Sequence, residues 1–106
     1  MKNLPALTLD DQIRAGTPPL ILDVRTRREF VEGHIPGAIH IPFWRVPAKS
    51  FMLAEFIDKP VVVYCGHGPR AYLAGAALRR RGFRRVAYLA GHMKVWRTMK
   101  LPVEVG

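Results

Sequence analysis

The chain has 106 residues and a formal net charge of +9, with 17 Lys and Arg against 8 Asp and Glu. This length supports one hydrophobic core and is too short for two, so we expect a single domain over residues 1–106. The single cysteine excludes an internal disulfide. Neither a signal-peptide run nor the roughly 20 apolar residues of a membrane span is present, which predicts a cytoplasmic protein.

The beginning of the chain predicts an edge strand followed by a helix. Residues 6–8 are interpreted as the strand, and Thr8 has the hydroxyl that a helix N-cap needs. The helix is then expected over residues 9–15, with acidic side chains in the first turn, where they complement the helix dipole. Gly16 is expected to end this helix.

An acidic residue lies within the first strongly apolar run, residues 20–24. The run has the length and composition of a buried strand, and Asp23 is its one charged member. Burying a carboxylate without hydrogen-bond donors is costly. We therefore expect Arg25, or the N–H groups of the following turn, to bind the Asp23 carboxylate.

The next segment has the pattern of a capping box, in which Thr26 and Glu29 would satisfy each other's N–H groups at a helix start. This pattern predicts a helix that begins at Arg27. Gly33 is expected to close the helix, because glycine is the usual residue just beyond a helix end.

Two histidines flank a predicted turn and strand. Pro36 and Gly37 suit the central positions of a type II turn, and residues 38–41 are interpreted as a strand. His34 and His40 are metal ligands by residue type, but neither has a partner at ligand spacing. We therefore expect hydrogen-bonded structural histidines and no metal site.

The middle of the chain predicts a short helix and a buried strand. Residues 43–58 carry apolar side chains that suggest one face of a helix; these are Phe51, Met52, Leu53, Phe56 and Ile57. Residues 61–64 are apolar and mostly β-branched, which is typical of a strand buried in a sheet.

A glycine-rich loop follows this strand and begins with the cysteine. Gly66 and Gly68 are expected to adopt positive φ, and Pro69 suits the first turn of a helix. Such a loop directs N–H groups inward at a helix N-terminus, where they favour an anion. We therefore expect Cys65 to be a nucleophilic thiolate, with Arg70 adding a permanent positive charge. The alternative is that Cys65 is a small buried apolar residue.

The last third of the chain predicts two helices and a strand. A helix from Arg70 is expected to end near Gly82, which suits a left-handed cap. Residues 86–89 are interpreted as a strand. Residues 92–97 are interpreted as a terminal helix with Trp96 packed inward.

Five arginines cluster where the long helix ends. They are Arg79, Arg80, Arg81, Arg84 and Arg85. Cations complement the dipole there, and no aromatic residues interleave with them as a surface for stacking nucleic-acid bases would require. We expect a solvated face, with docking of an acidic protein as the alternative, and no binding to nucleic acid or membranes.

Four predicted strands alternate with helical or irregular stretches, which indicates an α/β domain with a mainly parallel sheet and helices on both faces. Functional sites in such sheets lie outside the carboxyl ends of the strands. Cys65 and Asp23 both lie at such ends. The topology therefore favours the cysteine loop as the active site, although it does not name the reaction.

Three sequence blocks together resemble the rhodanese family. The first block runs from Asp23 to Pro42 and contains Asp23-Val24-Arg25, Glu29-Phe30 and Gly33-His34-Ile35-Pro36-Gly37-Ala38. The second block is Tyr64-Cys65-Gly66-His67-Gly68-Pro69-Arg70-Ala71. The third block is Tyr88-Leu89-Ala90-Gly91, followed by Trp96. They follow the family's order over nearly the whole domain. The resemblance implies a rhodanese-like fold with a central sheet of about five strands, and a cysteine that carries sulfane sulfur as a persulfide.

One position departs from the family's pattern. The third block often has two glycines where this chain has Gly91 and His92. His92 would either reach toward the cysteine loop or cap the last helix, and we expect the cap.

The activity implied by the resemblance is that of a thiosulfate sulfurtransferase. Sulfur would move from thiosulfate, or a related small anionic donor, through a Cys65 persulfide to a thiophilic acceptor such as cyanide, a thiol or an acidic protein. The residues expected to bind the donor are Gly66, His67, Gly68, Pro69 and Arg70. No cofactor is expected, and the protein is expected to be a monomer.

There are two alternatives to the thiosulfate sulfurtransferase function. The first is a protein-to-protein persulfide relay or docking module without thiosulfate turnover, favoured by the small size and the basic helix end. The second is a cysteine-dependent phosphatase or arsenate reductase. A loop that resembles those enzymes has five residues between cysteine and arginine, whereas Cys65 and Arg70 have four between them. The shorter loop leaves less room for a phosphoryl group.

Overall fold

The computed structural model of the chain describes residues 2–106. Five parallel strands form one sheet in the spatial order β1-β5-β4-β2-β3. The strands are Lys2–Leu4 (β1), Leu20–Asp23 (β2), Ile39–His40 (β3), Val61–Tyr64 (β4) and Val86–Leu89 (β5). The expected α/β fold with a parallel sheet of five strands is confirmed.

Helices cover both faces of the sheet. They are Ala6–Arg14 (α1), Arg27–Glu32 (α2), Val46–Lys49 (α3), Pro69–Arg80 (α4) and His92–Thr98 (α5). Alternate strand residues such as Leu22 and Val63 pack with the small side chains of α4. Their neighbours Ile21 and Val62 pack with residues of α1 and α5, including Trp96. Trp96 is fully buried, as predicted.

The two central strands, β2 and β4, are buried along their whole length. Strands covered by helices on both faces have no solvent side, so their sequences are continuously apolar rather than alternating. The register pairs Leu22 with Val63 and Asp23 with Tyr64. The carboxyl ends of β2 and β4 therefore coincide, and the residues that follow them lie at one edge of the sheet.

The prediction for the first elements was wrong in position. Residues 6–8 are not a strand, because α1 already begins at Ala6 behind Pro5, and β1 lies earlier and pairs with β5. Thr8 lies inside the helix and caps nothing. Proline pre-sets the backbone at the helix start but offers no side-chain acceptor, so the usual N-cap signal is absent from the sequence.

The predicted helix within residues 43–58 is replaced by three short helical segments. A 3₁₀ turn over Phe43–Arg45 leads into α3, and a second 3₁₀ segment covers Ser50–Phe56 with a kink at Leu53. The expected apolar face is divided as a result. Leu53 is buried, whereas Phe51 is 73% exposed.

Several boundaries follow the predictions closely. The capping box of Thr26 and Glu29 is present at the start of α2, and Gly82 follows α4 with φ +95°. Gly37 has φ +82°, and the Ala38 N–H donates to the Ile35 carbonyl at 3.0 Å, as a type II turn there requires. Over residues 2–106, the helices are too short or too polar to cross a membrane.

Candidate active site

Cys65 is the first residue after β4 and lies at the carboxyl edge of the sheet. Its side chain is fully buried at the floor of the loop that leads into α4. The Gly68 N–H donates a hydrogen bond to Sγ at 3.0 Å. A backbone donor aimed at sulfur supplies partial positive charge in the direction of its lone pairs.

The loop is held from behind by the first turn of α5. The N–H groups of Met93 and Lys94 donate to the carbonyls of Cys65 and Gly66, each at 3.0 Å. Because a trans peptide points its carbonyl and N–H in opposite directions, the N–H groups of Gly66 and His67 point away from α5. Neither N–H has an acceptor in the described part of the chain. The loop therefore presents open donors next to a buried sulfur.

The two loop glycines are required for different reasons. Gly68 has φ +142°, as expected, which a residue with a Cβ rarely adopts. The prediction of positive φ at Gly66 was wrong, because Gly66 is absent from the residues with positive φ. A Cβ at Gly66 would lie 3.1 Å from the Arg70 guanidinium, so the glycine allows this guanidinium to cross the loop closely.

Arg70 is bound by a carboxylate from α2. Its two terminal nitrogens donate to the two carboxylate oxygens of Glu29 at 2.6 and 3.1 Å. The hydrogen bond from Arg70 lowers the pKa of Glu29 to about 2, and the same partner raises the pKa of Arg70. Arg70 therefore stays charged and fixed in position, with one N–H of each terminal nitrogen occupied by Glu29.

Glu29 has a second function in the same place. Its Oε1 atom accepts hydrogen bonds from the N–H and the hydroxyl of Thr26, at 3.1 and 2.9 Å. The capping box of α2 and the ion pair with the cysteine loop thus share one carboxylate. Sequence analysis identified Glu29 as a cap and missed its contact with Arg70, because the two residues lie 41 positions apart.

Asp23 binds its donors as predicted. The main-chain N–H of Arg25 donates to Oδ1 at 2.9 Å, and the Arg25 guanidinium donates to Oδ2 at 2.7 Å. The same guanidinium donates to the Gly33 carbonyl at 2.7 Å. This fully buried pair ties the end of β2 to the end of α2, so it positions the helix that carries Glu29.

His92 reaches the cysteine loop and does not cap α5, so the expectation of a cap was wrong. The N-cap is Gly91, and no side chain hydrogen-bonds there. The Cys65 N–H donates to Nδ1 of His92 at 3.3 Å, and the ring is buried against Tyr72. Burial lowers the pKa of His92, and the nearby His67 lowers it further. The neutral ring is the form that accepts this hydrogen bond.

His67 lies at the exposed tip of the loop and lines an open cleft of about 670 Å³. Cations and acids share this cleft; its charged lining residues are Arg25, Glu29, Glu32, Lys94 and Arg97. Lys94 and Arg97 come from α5 and were not identified as site residues from the sequence. Their spacing of three positions places them on one face of the helix, but nothing local indicates that this face borders the cysteine loop.

His34 and His40 lie apart from the cysteine and serve as structural residues. Each donates a ring N–H to a main-chain carbonyl at 2.8 Å, His34 to Phe30 and His40 to Arg25. Both rings stack against the Phe30 ring. Among residues 2–106, no group of three His, Cys, Asp or Glu side chains is placed to hold a metal ion.

The arginine cluster lies at the other edge of the sheet. Arg85 precedes β5, and its carbonyl accepts from Val61 at the start of β4, whereas Cys65 follows the end of β4. The four residues of β4 span about 13 Å. Within the cluster, Arg79 donates to the hydroxyl of Tyr88.

Residues 6–99 match the rhodanese-like domain family. A "Sulfurtransferase" of Allochromatium vinosum is 36% identical over 84 residues, which are 79% of this chain and 77% of the relative. The "Thiosulfate sulfurtransferase GlpE" of Pseudomonas fluorescens is 36% identical over 86 residues, which are 81% of this chain and 76% of the relative.

The fold is also similar to solved structures. The crystal structure of a rhodanese-related protein from Thermoplasma volcanium matches with a TM-score of 0.86 and 28% identity, covering 100% of both chains. The fold and the two sequence matches thus agree with one another.

Proposed function

The chain belongs to the rhodanese-like family, and on this premise we propose that Cys65 takes sulfane sulfur from thiosulfate and passes it on as a persulfide. The observation that carries the proposal is the geometry around the sulfur. The Gly68 N–H donates to Sγ at 3.0 Å, and the adjacent Gly66 and His67 N–H groups are open. Fixed donors of this kind stabilise negative charge without reorganising during the reaction.

In the first step, the Cys65 thiolate attacks the outer sulfur of thiosulfate. A new S–S bond of about 2.05 Å forms as the bond between the two thiosulfate sulfurs breaks, and sulfite leaves with the electron pair of that bond. The three negative charges of the reactants become one on the persulfide and two on sulfite. The loop N–H groups would hold the persulfide anion as they hold the thiolate.

In the second step, a thiophilic acceptor attacks the outer sulfur of the persulfide. Cyanide becomes thiocyanate, or a thiolate becomes a persulfide, and the Cys65 thiolate is regenerated as the leaving group. No cofactor takes part in either step. Each leaving group in this cycle, sulfite in the first step and the Cys65 thiolate in the second, departs as an anion, so no general acid is needed.

We assign donor binding to the loop residues Gly66, His67, Gly68, Pro69 and Arg70. Arg70 supplies charge near the loop while Glu29 fixes its orientation. Lys94 and Arg97 add further positive charge to the cleft beside His67, which favours a dianionic donor such as thiosulfate. Pro69 starts α4 without an N–H of its own and so sets the end of the loop.

A phosphatase or arsenate reductase is the less favoured chemistry. Such enzymes clamp an oxyanion with an arginine, whereas each terminal nitrogen of Arg70 already donates one N–H to Glu29, which favours a role through charge over a two-pronged clamp. The loop also has four residues between Cys65 and Arg70, whereas a loop that resembles those enzymes has five.

We further propose that the protein is a cytoplasmic monomer in which residues 1–106 form a single domain, and that it binds neither nucleic acid nor membranes. A persulfide relay to a protein acceptor uses the same Cys65 chemistry with a different partner. The relay differs from the small-molecule enzyme in having a stable persulfide and negligible transfer from thiosulfate to cyanide.

The test is steady-state sulfur transfer from thiosulfate to cyanide by the purified protein, measured beside Cys65→Ser. We expect thiocyanate formation by the parent protein and none by the variant, because serine cannot hold the sulfur. An aryl phosphate is assayed in parallel. Cys65-dependent hydrolysis of that ester, with thiosulfate inert, would refute the sulfurtransferase proposal in favour of the phosphatase.

A further inference from the structure

A second basic surface lies at the same edge of the sheet as Cys65. It is a groove of about 510 Å³ between the start of α2, the end of β3 and the helical segments after β3. We call it the Trp44 groove. Its basic members are Arg27, Arg45 and Lys49, and its lining contains no Asp or Glu.

The cations of the Trp44 groove are not neutralised within the described residues. Neither Arg27, Arg45 nor Lys49 forms an ion pair there. In the arginine cluster at the end of α4, Arg84 pairs with Asp58, and the other four arginines form no ion pair within the described residues. Exposed cations without acidic partners attract an acidic ligand and steer it toward the surface that carries them.

The groove also exposes large apolar side chains. Trp44 is 55% exposed and Met52 is 58% exposed, and Ile39 adjoins them in the lining. The Trp44 ring is held edge-on by Phe43, which packs against the core. Tryptophan and arginine are both enriched at protein–protein interfaces. One exposed ring does not make the row of aromatic platforms that single-stranded nucleic acid uses.

Contacts through α2 and the chain after β3 connect the groove to the cysteine loop. Arg27 lies two positions before Glu29 on α2, and Glu29 binds Arg70 of the loop. On the other side, Phe43 packs against the core cluster that contains Cys65, and its ring contacts Trp44. β3 lies two strands from β4 in the sheet, and neighbouring strands lie about 4.8 Å apart, so the carboxyl end of β3 lies roughly 10 Å from the carboxyl end of β4, which Cys65 follows. A molecule bound in the groove therefore lies at the same ends of the strands as Cys65, whereas one bound at Arg79 to Arg85 lies beyond the opposite ends.

We propose that the Trp44 groove docks an acidic protein segment that presents the sulfur-accepting thiol to the Cys65 persulfide. This inference rests on the proposed sulfurtransferase function and names the surface for its acceptor. Acidic side chains of the partner pair with Arg27, Arg45 and Lys49, and an apolar side chain seats against Trp44. The acceptor thiolate attacks the outer persulfide sulfur, takes it as its own persulfide and leaves Cys65 as a thiolate.

The test uses a synthetic peptide that is rich in Glu and carries one Leu and one Cys, together with the same peptide with Lys in place of Glu. Binding is followed by amide NMR of the reduced protein, which requires no sulfur transfer. The protein pair is Arg27→Glu/Arg45→Glu and, as a matched control, Arg80→Glu/Arg81→Glu. All four arginines are exposed, so both variants change the net charge equally and leave the core intact.

We expect the acidic peptide to shift the amide signals of residues 39–53 and the lysine peptide to leave them unchanged. The groove variant should bind at least about tenfold more weakly, whereas the control should stay within about twofold of the parent protein. Transfer of sulfur from the persulfidated protein to the peptide is followed by the mass of the peptide. It should be weaker for the groove variant than for the control variant and the parent protein.

The inference is wrong if the two variants weaken binding equally, since the net charge alone would then be the cause. It is also wrong if the peptide shifts signals near Arg79 to Arg85, or if a single-stranded oligonucleotide occupies the groove in place of the peptide. Failure of the proposed function is separate, because it appears as a protein that acquires no sulfur on Cys65 while the NMR titration still reports where the peptide binds.

Discussion

At the residue scale, the contact between His92 and the Cys65 main chain sets the geometry of the cysteine loop. His92 has φ +53°, one of two non-glycine residues in the described chain with positive φ. A strained backbone persists where the surroundings make use of it, and here the buried ring accepts the Cys65 N–H. We interpret His92 as a positioning residue, because its ring acts on the loop through the main-chain N–H of Cys65.

Two substitutions separate this role from simple packing. His92→Gly relieves the positive φ but removes the acceptor, whereas His92→Asn tolerates the same φ and places an amide oxygen near the position of Nδ1. Loss of a buried hydrogen bond of about 1.4 kcal/mol predicts a roughly tenfold slower first step for His92→Gly. His92→Asn should keep most of the rate. Sulfite release from thiosulfate measures this step, and equal rates for both variants would contradict the interpretation.

The pH dependence provides a second readout of His92. The pKa of His92 is lowered in the folded protein, so the accepting neutral form persists below the ordinary value of 6.5 and is lost as pH falls through the folded value. The stability that the neutral ring contributes is present above pH 6.5 and declines below it. We predict that sulfite release by the parent protein falls more steeply on the acidic side than that of His92→Asn. Superimposable pH profiles would refute this prediction.

At the element scale, α2 is attached to the cysteine loop by the carboxylate of Glu29. The pair with Arg70 holds the Glu29 pKa at about 2, below its ordinary 4.5. The pair therefore contributes stability above pH 4.5 and loses it as pH falls toward 2. Because about a third of the Glu29 side chain is exposed, solvent screening reduces this contribution to about 1 kcal/mol.

Glu29→Gln tests this attachment, since glutamine keeps the capping box and loses the charge. We expect the free energy of unfolding at pH 7 to fall by about 1 kcal/mol. The difference from the parent protein should disappear near pH 2, as denaturant unfolding at each pH would measure. A difference that is constant from pH 7 to pH 2 would mean that the cost comes from the cap rather than from the ion pair.

The packing of α4 on β5 depends on the absence of a side chain at Gly75. A Cβ there would overlap the ring and hydroxyl of Tyr88, which is buried between the two elements. Overpacking of this kind costs about 1 to 3 kcal/mol, so Gly75→Ala should lower the unfolding free energy by about that amount despite the better helix propensity of alanine. Leu73→Ala, at a site 61% exposed on the same helix, should change it by under about 0.5 kcal/mol.

At the scale of the whole molecule, the four strands after β1 were predictable from local sequence, β1 was not, and the site was predictable only in part. The runs that form β2 and β4 are continuously apolar because helices cover both faces, and this pattern is visible without long-range information. The loop from Cys65 to Pro69 was likewise identifiable from glycines and proline between a strand and a helix. Asp23 and its donor Arg25 were found because they are two residues apart.

Contacts between residues far apart in the chain could not be predicted from the sequence. His92 was assigned to a cap because nothing near it in the chain reveals the Cys65 N–H, 27 residues away. The same holds for Glu29, because its capping partner Thr26 is near it in the chain and its ion-pair partner Arg70 is not. The start of α1 was missed for another reason, because Pro5 precedes the helix without a side-chain acceptor.

The measurement that tests the central claim most directly is the intact mass of the protein after incubation with thiosulfate alone. We predict the added mass of one sulfur atom on the parent protein, removable by cyanide, and no addition on Cys65→Ser. An unchanged parent mass would contradict thiosulfate as the donor. An added sulfur that survives in Cys65→Ser would contradict Cys65 as the carrier.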